Sequence, residues 1–356
     1  MKLIHCADLH LDAKMSANLD KEKAKERKAE ILHTFERMVE YAADNDISGI
    51  LIAGDMFDTK HITAITKNAV LYQINSHPDI TFYYLNGNHD NDNFLASLDV
   101  VSDNLKMFGS AWTSYDLGKV VISGIDLAAE NTDFAHASLV LDSDKFNIVM
   151  MHGQEGELIN LRALKNKGID YLALGHIHAY KKEQLDARTT YCYPGCLEGR
   201  GFDECGEHGF VVLDVNEDNG TYAHEFVSFA KRKLYTVSVD VTDCQTTSEI
   251  IAKVGDALKE AGCDETALLK IVLTGTLDVE CEKDVDHILT RFKAQYYFVK
   301  IYDETALKID VEDYMLDESL KGEYVRMIMQ DATLSEEDKA IIIRYGLQVI
   351  AGEEVQ

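Results

Sequence analysis

Short apolar runs alternate with segments of helical periodicity over the first two-thirds of the chain. The runs at residues 49–55 ("GILIAGD") and 145–153 ("KFNIVMMHG") are apolar almost throughout, which is typical of strands buried on both faces. Between residues 21 and 46, apolar side chains recur on one face of a helix. They are Ile31, Leu32, Phe35, Met38, Val39 and Ala42. Strands that alternate with helices predict an α/β sheet, and such folds place functional sites at the carboxyl ends of strands.

The pattern changes after about residue 230. Residues 231–305 show strand and helix patterns in the order β-α-β-α-β, which predicts a compact unit of its own. Residues 306–356 are helical in pattern and acidic, and their last helix begins with a capping box formed by Ser335 and Asp338. We therefore predict three parts, with the first spanning residues 1–230.

Composition narrows the class of protein. With 356 residues, 46% of them apolar, the chain has ample material for the cores of two domains. No apolar run approaches the length of a transmembrane helix, and the first residues lack the layout of a signal peptide. We therefore expect a soluble, cytoplasmic protein with no membrane partner.

The seven cysteines have no regular spacing, which fits a reducing compartment. Cys192, Cys196 and Cys205 lie near His208 in the sequence, so a structural zinc site stays open there. Because paired C-x-x-C knuckles are missing, buried or idle thiols are the better interpretation.

Polar clusters follow five of the predicted strands. They are "DLH" at residues 8–10, "GDMFD" at 54–58, "GNHD" at 87–90, "HG" at 152–153 and "GHIH" at 175–178. Together they offer carboxylates, an amide oxygen and several imidazoles. This mixture suits two borderline divalent cations such as manganese, iron or zinc, and it suits neither calcium nor a thiolate-bound metal.

The spacing within the clusters supports a shared site. Asp8 and His10 are two residues apart, as are His176 and His178, and on an extended segment this spacing puts both side chains on one side. In three clusters a glycine directly precedes the first polar residue, where the backbone must turn sharply. One histidine after a strand is more often a solvated loop residue than a ligand, but five such clusters in order are hard to obtain by chance.

The five clusters resemble the signature of the calcineurin-like metallophosphoesterases. That pattern, D-x-H, G-D-x-x-D, G-N-H-[DE], H, G-H-x-H, is present here without a gap. The resemblance implies an α/β fold with a four-layer α/β/β/α metallophosphoesterase sandwich, a small α/β capping domain at residues 231–305 and a helical C-terminal tail at residues 306–356. It also implies a binuclear metal centre.

The resemblance carries a ligand set over to this sequence. One cation would be held by Asp8, His10, Asp55 and His178, and the second by Asp55, Asn88, His152 and His176. Asp55 would bridge, because a carboxylate has two oxygens. The resemblance implies two divalent cations, with Mn²⁺ preferred over iron or zinc, that activate water for attack on phosphorus.

His89 and Asp58 have a different expected role. In the family that the chain resembles, the histidine at the position of His89 faces the substrate and stabilises or protonates the phosphoryl group. Asp58 would hold that imidazole and favour its charged form. For Asp58 and Asp90 a simple loop-capping role stays open, and more so for Asp90.

Two further segments narrow the resemblance to the SbcD/Mre11 family of DNA repair exonucleases. The opening "IHCADLHLD" is similar to that family's first motif, and residues 193–215 are similar to its Y-P-G-S stretch, with Cys196 where serine is usual. This implies hydrolysis of DNA phosphodiesters in DNA repair, a partner ATPase of the SbcC/Rad50 kind and a homodimer. The amphipathic tail could pack on that ATPase or, as readily, close the protein's own surface.

The net charge of −27 conflicts with a nucleic-acid substrate. Much of it lies in residues 303–356, which contain 14 Asp/Glu and 5 Lys/Arg. Two divalent cations would add about four positive charges at the site, and Lys231, Arg232 and Lys233 are expected where DNA backbone would pass. We expect weak DNA binding by the isolated chain.

Two alternatives stay open. The acidity and the compact capping unit favour a nucleotide or small-ester phosphodiesterase or phosphatase of the same superfamily. A non-catalytic scaffold for an ATPase is a third hypothesis, against which the intact Asp8, Asp55, His89 and His152 argue.

Overall fold

The structure, a computed structural model, describes residues 1–15, 19–58, 62–90, 101–278, 281–307 and 311–351. The chain forms two compact units, Met1–Lys233 and Leu234–Gln356. The finer division into three parts at residues 230 and 305 stays a prediction. Within the described ranges, no helix is long and apolar enough to cross a membrane.

Two six-stranded sheets build the first unit. Their strands are β1 (Lys2–Cys6), β2 (Gly49–Ala53), β3 (Thr81–Leu85), β4 (Leu105–Met107), β5 (Thr113–Asp116), β6 (Val120–Gly124), β7 (Phe146–His152), β8 (Tyr171–Gly175), β9 (Lys181–Gln184), β10 (Thr190–Tyr193), β11 (Gly209–Asn216) and β12 (Thr221–Ser228). One sheet has the order β12-β11-β1-β2-β3-β4 and the other β5-β6-β7-β8-β10-β9. Strands β1 to β4 are parallel, as are β6, β7, β8 and β10. The carboxyl ends within each parallel set therefore share an edge.

Helices cover the outer faces of both sheets. In the first unit they are α1 (Lys21–Asp44), α2 (Ala64–Ser76), α3 (Thr132–Ser138) and α4 (Leu161–Leu164). Ile50 and Phe82, paired across β2 and β3, face an apolar cluster that α1 and α2 complete. Leu51 points the other way, into a cluster shared by the two sheets, and Val149 of β7 packs in a third cluster with α3 and α4. The layers therefore run helix, sheet, sheet, helix, which confirms the predicted four-layer sandwich.

Local sequence explains the start of α1. The carboxylate of Asp20 accepts hydrogen bonds from the backbone N–H groups of Glu22 and Lys23, at 3.0 and 2.8 Å. Such an N-cap satisfies backbone donors that the first turn leaves unpaired. The helix ends at Asp44, two residues before the predicted end at residue 46.

The second unit begins with the predicted β-α-β-α-β arrangement. Its elements are β13 (Leu234–Asp240), α5 (Thr247–Glu260), β14 (Leu268–Thr274), β15 (Thr276–Leu277), α6 (Val285–Lys293), β16 (Phe298–Asp303) and β17 (Ala306–Leu307). Strands β13, β14 and β16 form a parallel sheet, and β15 pairs with β17. Helix α5 buries Ile250, Val254 and Leu258, four residues apart, in the core of this sheet.

Three helices follow: α7 (Val311–Leu316), α8 (Leu320–Gln330) and α9 (Glu336–Ala351). They share a small apolar core that includes Val325, Ile343 and Leu347. At the start of α9 the Ser335 hydroxyl accepts from the backbone N–H of Asp338 at 3.1 Å and donates to its carboxylate at 2.7 Å. The Ser335 half of the predicted capping box is thus present, whereas the Asp338 carboxylate accepts from the Ser335 hydroxyl and not, as in a full box, from the N-cap backbone N–H.

Candidate metal centre

The polar clusters lie at the carboxyl ends of five strands that meet at one edge of the sandwich. Asp8 follows β1, Asp55 follows β2, Asn88 follows β3, His152 ends β7 and His176 follows β8. The backbone holds these segments together: the N–H of Asp8 donates to the carbonyl of Gly54 at 3.1 Å. Parallel pairing within each sheet and face-to-face packing of the two sheets bring them to one place.

The predicted ligands form two groups. The ligand atoms of Asp8, His10 and His178 lie within 4.8 Å of one another, and so do those of Asp55, His152 and His176. These are the sets that the sequence assigned to the first and second cation, apart from Asp55 and Asn88.

Asn88 belongs to the second group. Its side-chain Oδ1 lies 2.9 Å from Nε2 of His152 and 3.1 Å from Nδ1 of His176. Asp55 lies between the groups, with Oδ2 3.3 Å from Nε2 of His152 and 4.0 Å from Nε2 of His10. A carboxylate in this place can face two cations at once, as the sequence predicts for Asp55.

The donor set fits cations. Nδ1–H of His152 donates to the carbonyl of Ala53 at 2.9 Å, so Nε2 carries the lone pair whenever this imidazole is neutral. That lone pair faces the oxygens of Asn88 and Asp55, which are also acceptors. Acceptors that converge without a proton between them repel each other unless a cation lies beside them, and imidazole, carboxylate and amide oxygen are ligands for borderline divalent ions.

The pKa values show the same excess of acceptors. Burial alone lowers the pKa of His152, but its hydrogen bond to Asp55 and the charge of that carboxylate raise it to about 9. Burial alone raises the pKa of Asp55, yet His152 lowers it to about 2. Burial raises the pKa of Asp8 to about 6. A proton on His152 therefore takes the place of a positive charge that this group of side chains requires.

Comparison with known proteins agrees with this geometry. Residues 1–218 match the family model described as the calcineurin-like phosphoesterase superfamily domain. The chain belongs to this superfamily. The matched residues include strands of both sheets of this phosphoesterase and contain every predicted ligand.

Two relatives and one solved structure are similar to the phosphoesterase. The uncharacterized metallophosphoesterase YhaO of Bacillus subtilis (strain 168) is 27% identical over 300 residues, which is 78% of this chain and 72% of that protein. The DNA double-strand break repair protein Mre11 of Sulfolobus acidocaldarius is 23% identical over 357 residues, 91% of this chain and 87% of that protein. The crystal structure of TT1561 of Thermus thermophilus aligns with a TM-score of 0.43 and 14% identity over 63% of this chain and 98% of that chain.

Several predicted ligands of the phosphoesterase lie in left-handed backbone conformations. The φ angles are 52° at Asp8, 44° at His10, 51° at Asp55 and 108° at His176. Such conformations cost about 1–3 kcal/mol each in a residue other than glycine and cluster at functional sites. The extended segment predicted for Asp8 and His10 is wrong, because these φ angles contradict it, and the residue types themselves do not predict the strain.

Glycines allow close approach in the same place. A Cβ at Gly54, whose φ is 90°, would lie 2.2 Å from Nδ1 of His152. A Cβ at Gly87 would lie 2.2 Å from Oδ1 of Asp55. Both positions exclude any side chain, which agrees with the sequence argument about glycines before the ligands.

His89 lies at the mouth of the site, with 46% of its side chain exposed. Its Nδ1 is 3.5 Å from Oδ1 of Asp58, the partner that the sequence proposed. Asp58 is closer to His10, whose Nδ1–H donates to the same oxygen at 3.0 Å. Asp58 therefore orients the predicted ligand His10 more closely than His89, and this contact was not predicted from the sequence.

Asp90 has the loop-capping role that the sequence left open. Its carboxylate accepts hydrogen bonds from the backbone N–H groups of Met56, Phe57 and Gly87, at 3.2, 2.9 and 3.0 Å. It thereby ties the loop after β2 to the loop after β3. Burial raises the pKa of this carboxyl, with the hydrogen bonds opposing the shift.

Lys231, Arg232 and Lys233 pair with carboxylates, and the expectation that DNA backbone passes them stays a prediction. The guanidinium of Arg232 is buried and donates to Glu30 at 2.7 Å, and Lys231 pairs with the same carboxylate at 2.8 Å. Lys233 pairs with Glu207. Glu30 is buried and therefore requires such partners, whereas Glu207, with 51% of its side chain exposed, does not.

The structure agrees with the interpretation that these cysteines are buried or idle thiols. Cys192 and Cys196 are buried and Cys205 is exposed, and none is in a disulfide. The Cys196 thiol donates to Nδ1 of His208 at 3.2 Å. Among the residues that the structure describes, no group of three potential ligands includes a cysteine.

Proposed function

We propose that this phosphoesterase is a metal-dependent DNA exonuclease of the SbcD/Mre11 kind, which hydrolyses DNA phosphodiesters with two divalent cations in DNA repair. The observation that carries the proposal is the pair of ligand groups joined at Asp55. The relative named as a DNA double-strand break repair protein supports the choice of DNA, since its similarity covers 91% of this chain and so extends into the second unit.

The residues would divide the work as follows. Asp8, His10 and His178 would hold one cation and Asn88, His152 and His176 the other, with Asp55 shared. Such a pair, when bound, would activate water and neutralise charge on the phosphoryl oxygens. His89, half-exposed beside Asp58, would hydrogen-bond or protonate the phosphoryl group. The imidazole, carboxylate and amide groups suit manganese, iron or zinc, and of these we propose Mn²⁺.

Cleavage assays test this proposal. End-labelled linear duplex DNA incubated with Mn²⁺ should be shortened progressively from its ends. His89→Ala should lower that activity by about 10²-fold or more, as expected for loss of a proton donor. Cleavage that this substitution leaves unaltered would reject the proposed site.

A second candidate is a nucleotide or small-ester phosphodiesterase or phosphatase. It is favoured by the net charge of −27 and by the pairing of Lys231 and Arg232 with Glu30, which leaves less positive surface for DNA. Fast turnover of a mononucleotide or a cyclic nucleotide, with DNA left intact under the same conditions, would make it the better proposal.

We further propose that an ATPase of the SbcC/Rad50 kind binds the helical tail. Exposed apolar side chains support this: Leu316 is 86% exposed, Leu320 72% and Met327 61%. Water-exposed apolar groups in one short region are typical of interaction surfaces. Leu320→Asp combined with Met327→Asp should abolish co-elution with that ATPase and leave metal binding unchanged.

A homodimer is also proposed. Helix α2 exposes Ile65 at 76% and Tyr72 at 67%, seven residues apart on one helix face. Sedimentation of the chain and of Tyr72→Glu should distinguish a dimer from a monomer.

A further inference from the structure

Two carboxylates outside the predicted ligand set each hold one histidine of the same cation site. Nδ1–H of His178 donates to Oε1 of Glu204 at 2.7 Å, and Nδ1–H of His10 donates to Oδ1 of Asp58 at 3.0 Å. Carboxylates only accept, so an imidazole that donates from Nδ1 and is otherwise neutral keeps a lone pair on Nε2. Nη2 of Arg200 also lies 3.1 Å from Nδ1 of His178. The two Nε2 atoms lie 3.2 Å apart, aimed at one place.

Arg200 joins the two carboxylates. Its Nη1 lies 3.4 Å from Oδ1 of Asp58, and its Nη2 lies 2.8 Å from Oε1 of Glu204. The backbone N–H of Arg200 also donates to Oε2 of Glu204 at 2.7 Å. The Glu204 carboxylate is thus held from two sides by one residue, and its side chain is 8% exposed.

We propose that Arg200 and Glu204, here called the clasp, are positioning residues for one of the two cations. The clasp fixes the tautomer and the ring plane of His178 directly, and those of His10 through Asp58. The charge of the guanidinium also offsets the two carboxylates, so they stay close together near the site.

The clasp acts on one ligand group only. In the other group, His152 is held by the backbone carbonyl of Ala53, which no side-chain substitution removes. The structure therefore separates the two cations by how their histidines are supported. Loss of an outer hydrogen bond to a ligating histidine typically weakens metal binding about 10- to 100-fold.

A calorimetric titration of the metal-free full chain with Mn²⁺ tests the proposal without any substrate. Wild type should bind two ions. In Glu204→Gln and in Arg200→Met, the affinity for one ion should fall about 10- to 100-fold while the other stays unchanged. Co²⁺ absorption should change for the same single site, which a general loss of structure would not produce.

Arg188→Met is the matched control. Arg188 pairs with Asp170 in the same unit, at 2.7 Å, and contacts no predicted ligand. Its two Mn²⁺ affinities should equal those of wild type, and melting temperatures of the metal-free variants report folding.

The inference rests on the proposed two-cation centre, and different results of the titration would contradict the clasp and the centre. If wild type binds two ions and the clasp variants bind both as tightly, or lose both affinities equally, the clasp is wrong and the centre stands. If wild type binds fewer than two ions, the centre is wrong and the clasp with it.

Discussion

Several charged side chains are buried in the first unit, Met1–Lys233, whereas those described in the second unit, Leu234–Gln356, lie at the surface with one exception. The first unit buries Asp8, Asp55, Arg27 and Glu30, among others, while the described part of the second buries Lys339 alone among its charged residues. Yet the end of the second unit is the more acidic sequence. The number of charges in a segment therefore says little about how much each charge contributes to the free energy of unfolding.

Burial changes what a charge does. A buried charge must be paired or neutralised, so removing its partner is costly, whereas an exposed ion pair contributes about 0–1 kcal/mol. In the first unit the buried charges form a candidate cation site and, at α1, an internal network of ion pairs. The predictions below test this contrast between the units.

Asp55→Asn should have the largest effect, because it removes the charge between the two ligand groups. Hydrolysis of bis(p-nitrophenyl) phosphate with Mn²⁺ should fall about 10³-fold or more, as several kcal/mol of charge stabilisation is lost. Asp256→Asn on α5, whose side chain is 81% exposed, is the control and should keep full activity. A loss below about tenfold in Asp55→Asn would contradict the bridging role.

Arg27→Ala should have the next largest effect. Arg27 is fully buried and donates to Glu30 at 2.6 Å and to Glu198 at 3.2 Å, so its loss leaves two buried carboxylates short of a partner. The free energy of unfolding, measured in urea, should fall by about 3–5 kcal/mol.

The matched change in the second unit is Arg291→Ala, on the exposed face of α6. Its unfolding free energy should stay within about 0.5 kcal/mol of wild type. Equal losses in the two variants would refute the contrast between the units.

Metal binding should release a proton, which is a smaller effect. Without a cation the pKa of His152 is about 9, so the imidazole is protonated at pH 7.5 and must lose its proton to offer a lone pair. Calorimetry of Mn²⁺ binding in buffers of different ionisation enthalpy should show release of about one proton attributable to His152 at pH 7.5, falling toward zero above about pH 10. Release that did not change with pH would argue against this assignment.

Lys231→Ala and Lys233→Ala should have the smallest effect. Both lysines already pair with carboxylates of the first unit, Glu30 and Glu207. DNA affinity at fixed salt should therefore change less than about twofold. A fall of about one in the salt-dependence slope for each lysine would show that they contact phosphate after all.

Much of the fold was predictable because apolar runs mark buried strands. The parallel sheet of the second unit and the strands that carry the ligands follow from patterns of about five to eight residues. Helix ends followed from caps such as Ser335. The left-handed backbone at Asp8 and His10 was not predictable from residue types, and it accompanies hydrogen bonds from both N–H groups to the loop after β2, at Gly54 and Asp55.

The least predictable feature of the site was the set of carboxylates that hydrogen-bond to the predicted ligand histidines. The distance between Glu204 and His178 in sequence is 26 residues, and no pattern links them. Asp58 was assigned to His89, yet it lies nearer to His10. Predicted ligands are recognisable because they are His, Asp and Asn residues at strand ends. The residues that hydrogen-bond to them are acids and arginines of kinds that occur throughout the chain.

The sequence by itself determined the strands that precede the polar clusters, the chemistry at their ends and therefore the superfamily, because hydrophobic period and residue type are local properties. Only the tertiary structure decided which charges are buried. Arg27 lies in "KEKAKERKAE", a run that looks like a solvated helix face, and becomes buried because Glu198 and Gly199 come to it from 171 and 172 residues away. The contribution of a charge to stability depends on its distance from partners and from water, and the folded chain sets both distances.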